Sequence, residues 1–271
     1  MDRCVQKLGA DGMKKKDEKS SEPRRKDYFV LVVVKGLVRL FYPRVTVLGR
    51  KNIPEEPCII VANHAKMNGP IMFEIYPPVK RYTWCIGEMM HLKEVPDYAF
   101  SDFWSGKPWW NRWFFRGLSY VIAPIAVGVF NNAETIGVYH DARLVNTFRE
   151  TMQRLEEGAD IVIFPEHDVP YNHVVSDFQE HFVDTARFYY RKTGKELLFL
   201  PAYVCPALKK LVIGKPIRFR SDQPIEEERE RICMYTKQEI TRLAEKLPLH
   251  TVVPYKNIPK KEYPKSRIES K

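Results

Sequence analysis

The sequence has no glycine-rich phosphate loop, no Gly-x-Ser-x-Gly elbow and no Cys-x-x-Cys pair. Gly214-Lys215-Pro216 lacks the rest of a Walker motif, which argues against nucleotide hydrolysis. Without the elbow, a serine nucleophile of the hydrolase kind is excluded as well. The five cysteines (Cys4, Cys58, Cys85, Cys205 and Cys233) are scattered, several of them in apolar runs where Cys behaves as a small hydrophobe. They imply a reducing, cytosolic setting with neither disulfides nor a zinc site. His64, His167, Asp168 and His173 match no standard zinc spacing, so no metal and no bound cofactor is expected. No apolar run reaches the roughly 20 residues that a spanning helix needs. Met1-Asp2-Arg3 leads into polar sequence instead of a signal peptide's apolar region.

Positive charge is what the chain has in excess: +10 over 271 residues, with 44% hydrophobic residues to build a core. Such a balance attracts nucleic acid, acidic lipid headgroups or phosphorylated substrates. The aromatic residues cluster in apolar runs and do not alternate with Lys and Arg, which disfavours stacking on bases and so nucleic acid. Residues 1–27 are polar and charge-mixed, and read as a disordered basic tail. Residues 28–43 begin with Phe29-Val30-Leu31-Val32-Val33-Val34, and basic residues precede and interrupt the run. They read as a helix lying on a membrane surface, with Lys35 and Arg39 meeting anionic headgroups, or else as a docked core element. Residues 98–133 form an aromatic and apolar insertion: Trp109-Trp110 and Trp113-Phe114-Phe115 stand beside Lys107, Arg112 and Arg116, ahead of the uncharged stretch from Leu118 to Phe130. A second surface-dipping element and a buried helical hairpin both fit it.

Between these segments, residues 44–250 alternate short apolar runs with amphipathic ones. Cys58–Ala62 and Ile161–Phe164 read as buried strands, Asp141–Glu157 and Glu226–Leu247 as helices. Ser176 with Gln179 forms a capping box for a helix carrying Phe178, Phe182, Ala186 and Tyr189 on one face. Pro201 inside Leu197–Val204 places that strand near an edge or an end. The pattern is that of an α/β domain with a mostly parallel sheet flanked by helices. Residues 251–271 read as a loose basic tail.

The chemistry points to Val61-Ala62-Asn63-His64, where a strand gives way to a helix opened by Pro70. A His near its usual pKa of about 6.5 in that place can take a proton at neutral pH. The N-terminus of the helix that follows would offer N–H donors to an anionic or acyl group.

From about Tyr42 to Leu247 the chain resembles the glycerophospholipid acyltransferases, whose members include the 1-acylglycerol-3-phosphate acyltransferases. The resemblance rests on the order of Asn63-His64, Phe164-Pro165-Glu166 after its apolar strand, Leu200-Pro201-Ala202, and Gly214-Lys215-Pro216 ahead of the final helix. It implies a glycerol-3-phosphate acyltransferase-like fold on the cytoplasmic face of a membrane, peripheral or monotopic. It also implies transfer of a fatty acyl group from acyl-CoA or acyl-acyl carrier protein to a hydroxyl of a lysophospholipid or glycerol-phosphate-like acceptor, with the thioester as co-substrate. His64 would be the general base, and Asn63, Glu166, His167 and Arg143 would contact substrate. The sequence departs from the family where an acidic residue orients the base: five positions after His64 stands Gly69. Asp168 or Glu166 could orient His64 from the opposite loop, or His167 could itself take part. Otherwise the chain is a weakly active or inactive lipid-binding relative.

Overall fold

The computed structural model describes residues 25–104 and 108–268. The tail expected to be disordered lies outside these residues up to position 24, as do Lys107 and Cys4. Among the described residues an eight-stranded sheet is ordered β1-β9-β8-β2-β5-β3-β4, with β10 also on β8. The strands are β1 (Thr46–Leu48), β2 (Cys58–Ala62), β3 (Arg81–Ile86), β4 (Thr135–Val138), β5 (Asp160–Ile163), β8 (Leu198–Cys205), β9 (Lys210–Ile213) and β10 (Ile217–Arg218). From β8 to β4 every pairing is parallel, while β9 and β10 run antiparallel to β8. A separate hairpin pairs β6 (Glu166–Pro170) with β7 (Ser176–Phe178). The helices are α1 (Arg25–Phe41), α2 (Asn68–Ile75), α3 (Val95–Trp104), α4 (Arg112–Phe130), α5 (Leu144–Glu156), α6 (Asp184–Thr193) and α7 (Ile225–Lys246).

Strands β2, β5 and β8 are buried along their whole length, which is why they read as unbroken apolar runs. Their side chains alternate between the two faces. Ile59, Val61, Ile161 and Ile163 join residues of α5, α6 and α7 on one face, and Ile60, Ala62 and Val162 join Met72 and Phe73 of α2 on the other. The chain leaves β2 for β3 and leaves β5 for β8, in opposite directions along the sheet. Right-handed crossovers then carry the two connections to opposite faces and open a crevice at the carboxyl ends of β2 and β5.

Two expectations fail for physical reasons. Pro201 does not mark an edge: β8 is central, and Pro201 sits where β9 has ended and β10 has not begun. Its carbonyl there accepts the Gly214 N–H at 2.8 Å, so its missing donor faces a turn and not a strand. Ser176 caps no helix. It lies in β7, and α6 begins at Asp184 after the 3-10 turn Glu180–Val183, although Phe178, Phe182, Ala186 and Tyr189 still share the core.

Two basic residues of helix α1 bond to α2: Lys35 pairs with Glu74, and the exposed Arg39 donates to the Ile75 carbonyl at 3.3 Å. Glu74 in turn pairs with the buried Arg81, which gives two further hydrogen bonds, at 3.1 and 3.0 Å, to the Phe73 carbonyl. Leu31 is buried, but Phe29 (68%), Leu40 (74%) and Phe41 (81%) are exposed. Lys35 and Arg39 therefore help to fasten α1 to α2. Helix α3 and helix α4 form a hairpin around Val95, Ala99 and Ala123, and α4 meets α1 where Gly128 faces Val30. Trp109, Trp113, Phe114, Tyr120 and Val121 remain exposed. By length and composition alone, residues 109–130 make one helix apolar enough to cross a membrane, and 17% of that window is buried.

Candidate active site

The crevice is floored by the turn that follows β2. Asn63 is buried, donates from Nδ2 to the Val204 carbonyl at 3.1 Å and accepts the Val204 N–H at 2.7 Å. Beyond it, Ala65 and Lys66 adopt left-handed backbone angles (φ 46° and 55°) that cost a residue with a Cβ about 1 kcal/mol each. The tight turn brings Asn68 N–H to the Ala65 carbonyl at 3.2 Å and Gly69 N–H to the His64 carbonyl at 3.0 Å. Asn68 also donates its side-chain amide to Ala65 O at 2.9 Å and accepts the Tyr42 hydroxyl at 3.0 Å. These bonds overturn one expectation. The first N–H groups of α2 are already used inside the turn, Pro70 has none, and Ile71 donates to Met67 O at 3.1 Å, so they do not form a set of donors for an acyl oxygen.

Position 69 has no room for a carboxylate. A Cβ built on Gly69 would lie 2.6 Å from the His64 carbonyl oxygen and 2.7 Å from Cε1 of Phe164. Glycine here is a condition of the close approach between the turn and β5, and an Asp would force the backbone apart.

Glu166, the first residue of β6, is buried. It accepts the His64 N–H at 2.5 Å on one carboxyl oxygen and the Ser176 N–H at 2.8 Å on the other. It thus ties the His64 turn to the β6–β7 hairpin. Burial pushes its carboxyl up to about 7, against the two backbone donors that favour the charged form.

The imidazole of His64 contacts two aromatic rings, Phe164 at 5.1 Å and Tyr255 at 5.7 Å between centroids, both near edge-on. Tyr255 comes from the segment expected to be a loose tail. That segment instead doubles back on itself: Val252 N–H bonds Pro264 O at 2.9 Å and Ser266 N–H bonds His250 O at 2.9 Å. Its base is fixed by the buried Tyr203 hydroxyl at 2.8 Å from His250 Nε2, and by Arg267, whose guanidinium donates to Leu247 O at 2.6 Å. Burial lowers the pKa of His250, which keeps the imidazole neutral and able to accept from Tyr203.

The other candidates are held elsewhere. Asp168 is exposed on β6 and engages in none of the described hydrogen bonds or ion pairs. His167 lies 3.8 Å from Asp177 on β7, itself paired with Lys237 at 2.6 Å. Arg143 pairs with Asp141 at 2.9 Å and Glu94 at 3.1 Å and lies 4.2 Å over the Tyr139 ring, so its guanidinium is already committed to two carboxylates. Sequence reasoning missed Tyr255, Ser176 and the Tyr42–Asn68 bond. Phe164 was visible as part of Phe-Pro-Glu, but nothing in Pro254-Tyr255 marks a partner for His64. Among the described residues no cluster of three or more His, Cys, Asp or Glu side chains is placed to hold a metal ion.

No protein-family model and no curated protein sequence matches the chain. Among solved structures, the 1-acyl-sn-glycerophosphate (LPA) acyltransferase PlsC from Thermotoga maritima is similar at 18% sequence identity and a TM-score of 0.45, over 84% of this chain and 85% of that one.

Proposed function

We propose that the protein is a membrane-surface acyltransferase that moves a fatty acyl group from an acyl thioester to a hydroxyl of a lysophospholipid or glycerol-phosphate-like acceptor. The observation that carries this reading is the joint placement of His64 and Glu166. They leave the carboxyl ends of adjacent central strands over one crevice and are tied by the Glu166–His64 N–H bond. They also belong to the two motifs whose order underlies the family resemblance. His64 takes the proton of the acceptor hydroxyl as its oxygen attacks the thioester carbonyl. The tetrahedral intermediate collapses, the C–S bond breaks, and the departing thiolate takes up the proton from the imidazolium. With both carboxyl oxygens on backbone N–H groups, Glu166 acts by fixing the two loops.

A lipid surface is the medium that suits α1 and α4. Each large apolar side chain moved out of water contributes about 1.5–3 kcal/mol, and α1 presents Phe29, Leu40 and Phe41 outward. Its end reaches the catalytic turn through Tyr42 and Asn68. A shallow apolar patch formed by Leu37, Val38, Phe41, Tyr42 and Ile71 lies there, and an acyl chain could rest against it.

The test is thiol release from acyl-CoA in the presence of lysophosphatidate vesicles. His64→Ala is expected to cut turnover by about 10²- to 10⁴-fold with an unchanged melting temperature. Full turnover in that variant sinks the assignment. A second reading, a lipid-binding protein without turnover, is favoured by the closed position at Gly69 and by Arg143's two ion pairs. It predicts salt-sensitive vesicle binding and no thiol release from acyl-CoA or acyl-acyl carrier protein.

A further inference from the structure

The C-terminal segment does more than close the fold. Its two arms, clipped at Thr251 and Lys265, hold a loop spanning 253–263 over the His64 turn. The loop touches that turn at three points. Tyr255 lies edge-on to the His64 ring at 5.7 Å, Asn257 Oδ1 accepts from the Lys66 ammonium at 3.2 Å, and the Tyr263 ring stands 5.2 Å from the same ammonium. Towards the β6–β7 hairpin the loop borders a cavity of about 330 Å³ lined by residues such as His173, Ser176, Pro254 and Ile258. The clip at its base and the His64–Lys66 turn at its tip therefore give the loop its support.

We propose that Tyr255 is a positioning residue for His64, its ring and that of Phe164 gripping the imidazole in the orientation that the family obtains from a carboxylate at position 69. This rests on the reading of His64 as the base. The geometry motivates it twice over. Position 69 is sterically closed to any side chain, so orientation has to come from elsewhere. The two rings that contact the imidazole are themselves anchored: Phe164 packs edge-on against Phe73 at 5.9 Å, and Tyr255 is carried by a loop pinned at its base by His250, Ser266 and Arg267. An edge-to-face contact restricts ring rotation without adding charge and contributes about 0.5–1.5 kcal/mol beyond burial. Ionisable groups at this place include Glu166, at the backbone N–H of His64, and Lys66, whose ammonium bonds Asn257 and lies by the Tyr263 ring.

The experiment uses the full chain with Tyr255→Ala, Tyr255→Phe and His64→Ala. It follows thiol release from palmitoyl-CoA on lysophosphatidate vesicles across pH, together with the ring NMR signals of His64 in the resting protein. Tyr255→Ala is expected to lower kcat about 10-fold or more with KM within about twofold, to displace the acid limb of the kcat profile, and to shift or broaden the His64 ring signals. Tyr255→Phe keeps the ring and is expected to stay within about threefold of the parent. The proposal is overturned if Tyr255→Ala leaves both the profile and the His64 signals unchanged, or if Tyr255→Phe is as impaired as Tyr255→Ala. If His64→Ala keeps full turnover, it is the reading of His64 as the base that fails. The NMR arm, which needs no turnover, still decides whether Tyr255 holds the imidazole.

Discussion

Helices α7 and α1 answer the same problem in opposite ways. α7 buries Ile225, Ile232, Ile240 and Leu243 and shows Glu226, Glu227, Glu230 and Lys246 to water. α1 buries little, spends Lys35 and Arg39 on Glu74 and the Ile75 carbonyl, and shows Phe29, Leu40 and Phe41. The difference teaches that a face's composition says what it is made for only once its direction is known. The carboxyl edge of the sheet is the counterpart of α1. There the polar groups are consumed internally: Asn63 on Val204, Glu166 on His64 and Ser176, and the first N–H groups of α2 on their own turn. One region spends these polar groups internally, the other has apolar capacity in hand, and Tyr42 joins them.

The sharpest way to break this contrast is to place a side chain where the consumed region has no slack. Gly69→Asp is expected to lower stability by about 3 kcal/mol or more through backbone and ring overlap. It should also fail to raise turnover. Thermal melts and the thiol-release assay check both; a stable and faster variant would show that the turn has slack after all.

The next test concerns Glu166. Its carboxyl ionises near its ordinary value of 4.5 in the unfolded chain and at about 7 in the folded one. The folded state therefore holds the proton more tightly. Its advantage is complete below about pH 4.5 and is lost as pH rises through 7, a swing on the order of 3 kcal/mol. Urea melts between pH 4.5 and 8 are expected to show that decline in the parent and to lose most of it in Glu166→Gln. Parallel pH dependences in the two proteins would remove the carboxyl from this role.

The smallest effect on folding is expected at the other region. Leu40→Ser with Phe41→Ser should leave the melting temperature within about 2 °C, since both side chains are exposed, while weakening vesicle sedimentation by about 10-fold or more. Unchanged sedimentation would mean that the outward face of α1 meets something other than lipid.

Sequence and structure agree where burial is two-sided or the helical period is unambiguous. Cys58–Ala62, Ile161–Ile163 and α7 were legible because continuous apolar runs and a 3.6-residue period have few alternative readings. Ser176 to Gln179 was misread because a capping box and the start of a short strand share the same residues, and only the buried Glu166 decides between them. The apolar run of residues 28–43 and the basic residues that interrupt it were visible, but composition does not say which face turns inward. His64 could be singled out from its neighbours in sequence. Tyr255 could not, because nothing local in a Pro- and Lys-rich segment records a contact made so far along the chain.

The clip between residues 250 and 266 also gives the site a timetable. Lys66 and Asn257 are 191 positions apart, as are His64 and Tyr255. During synthesis at roughly 5–20 residues per second, the second ring is made some ~10–40 s after the imidazole it will flank. A nascent chain thus carries its histidine with only one of the two rings in place until translation has passed the whole sheet, and completion of the site coincides with completion of the fold.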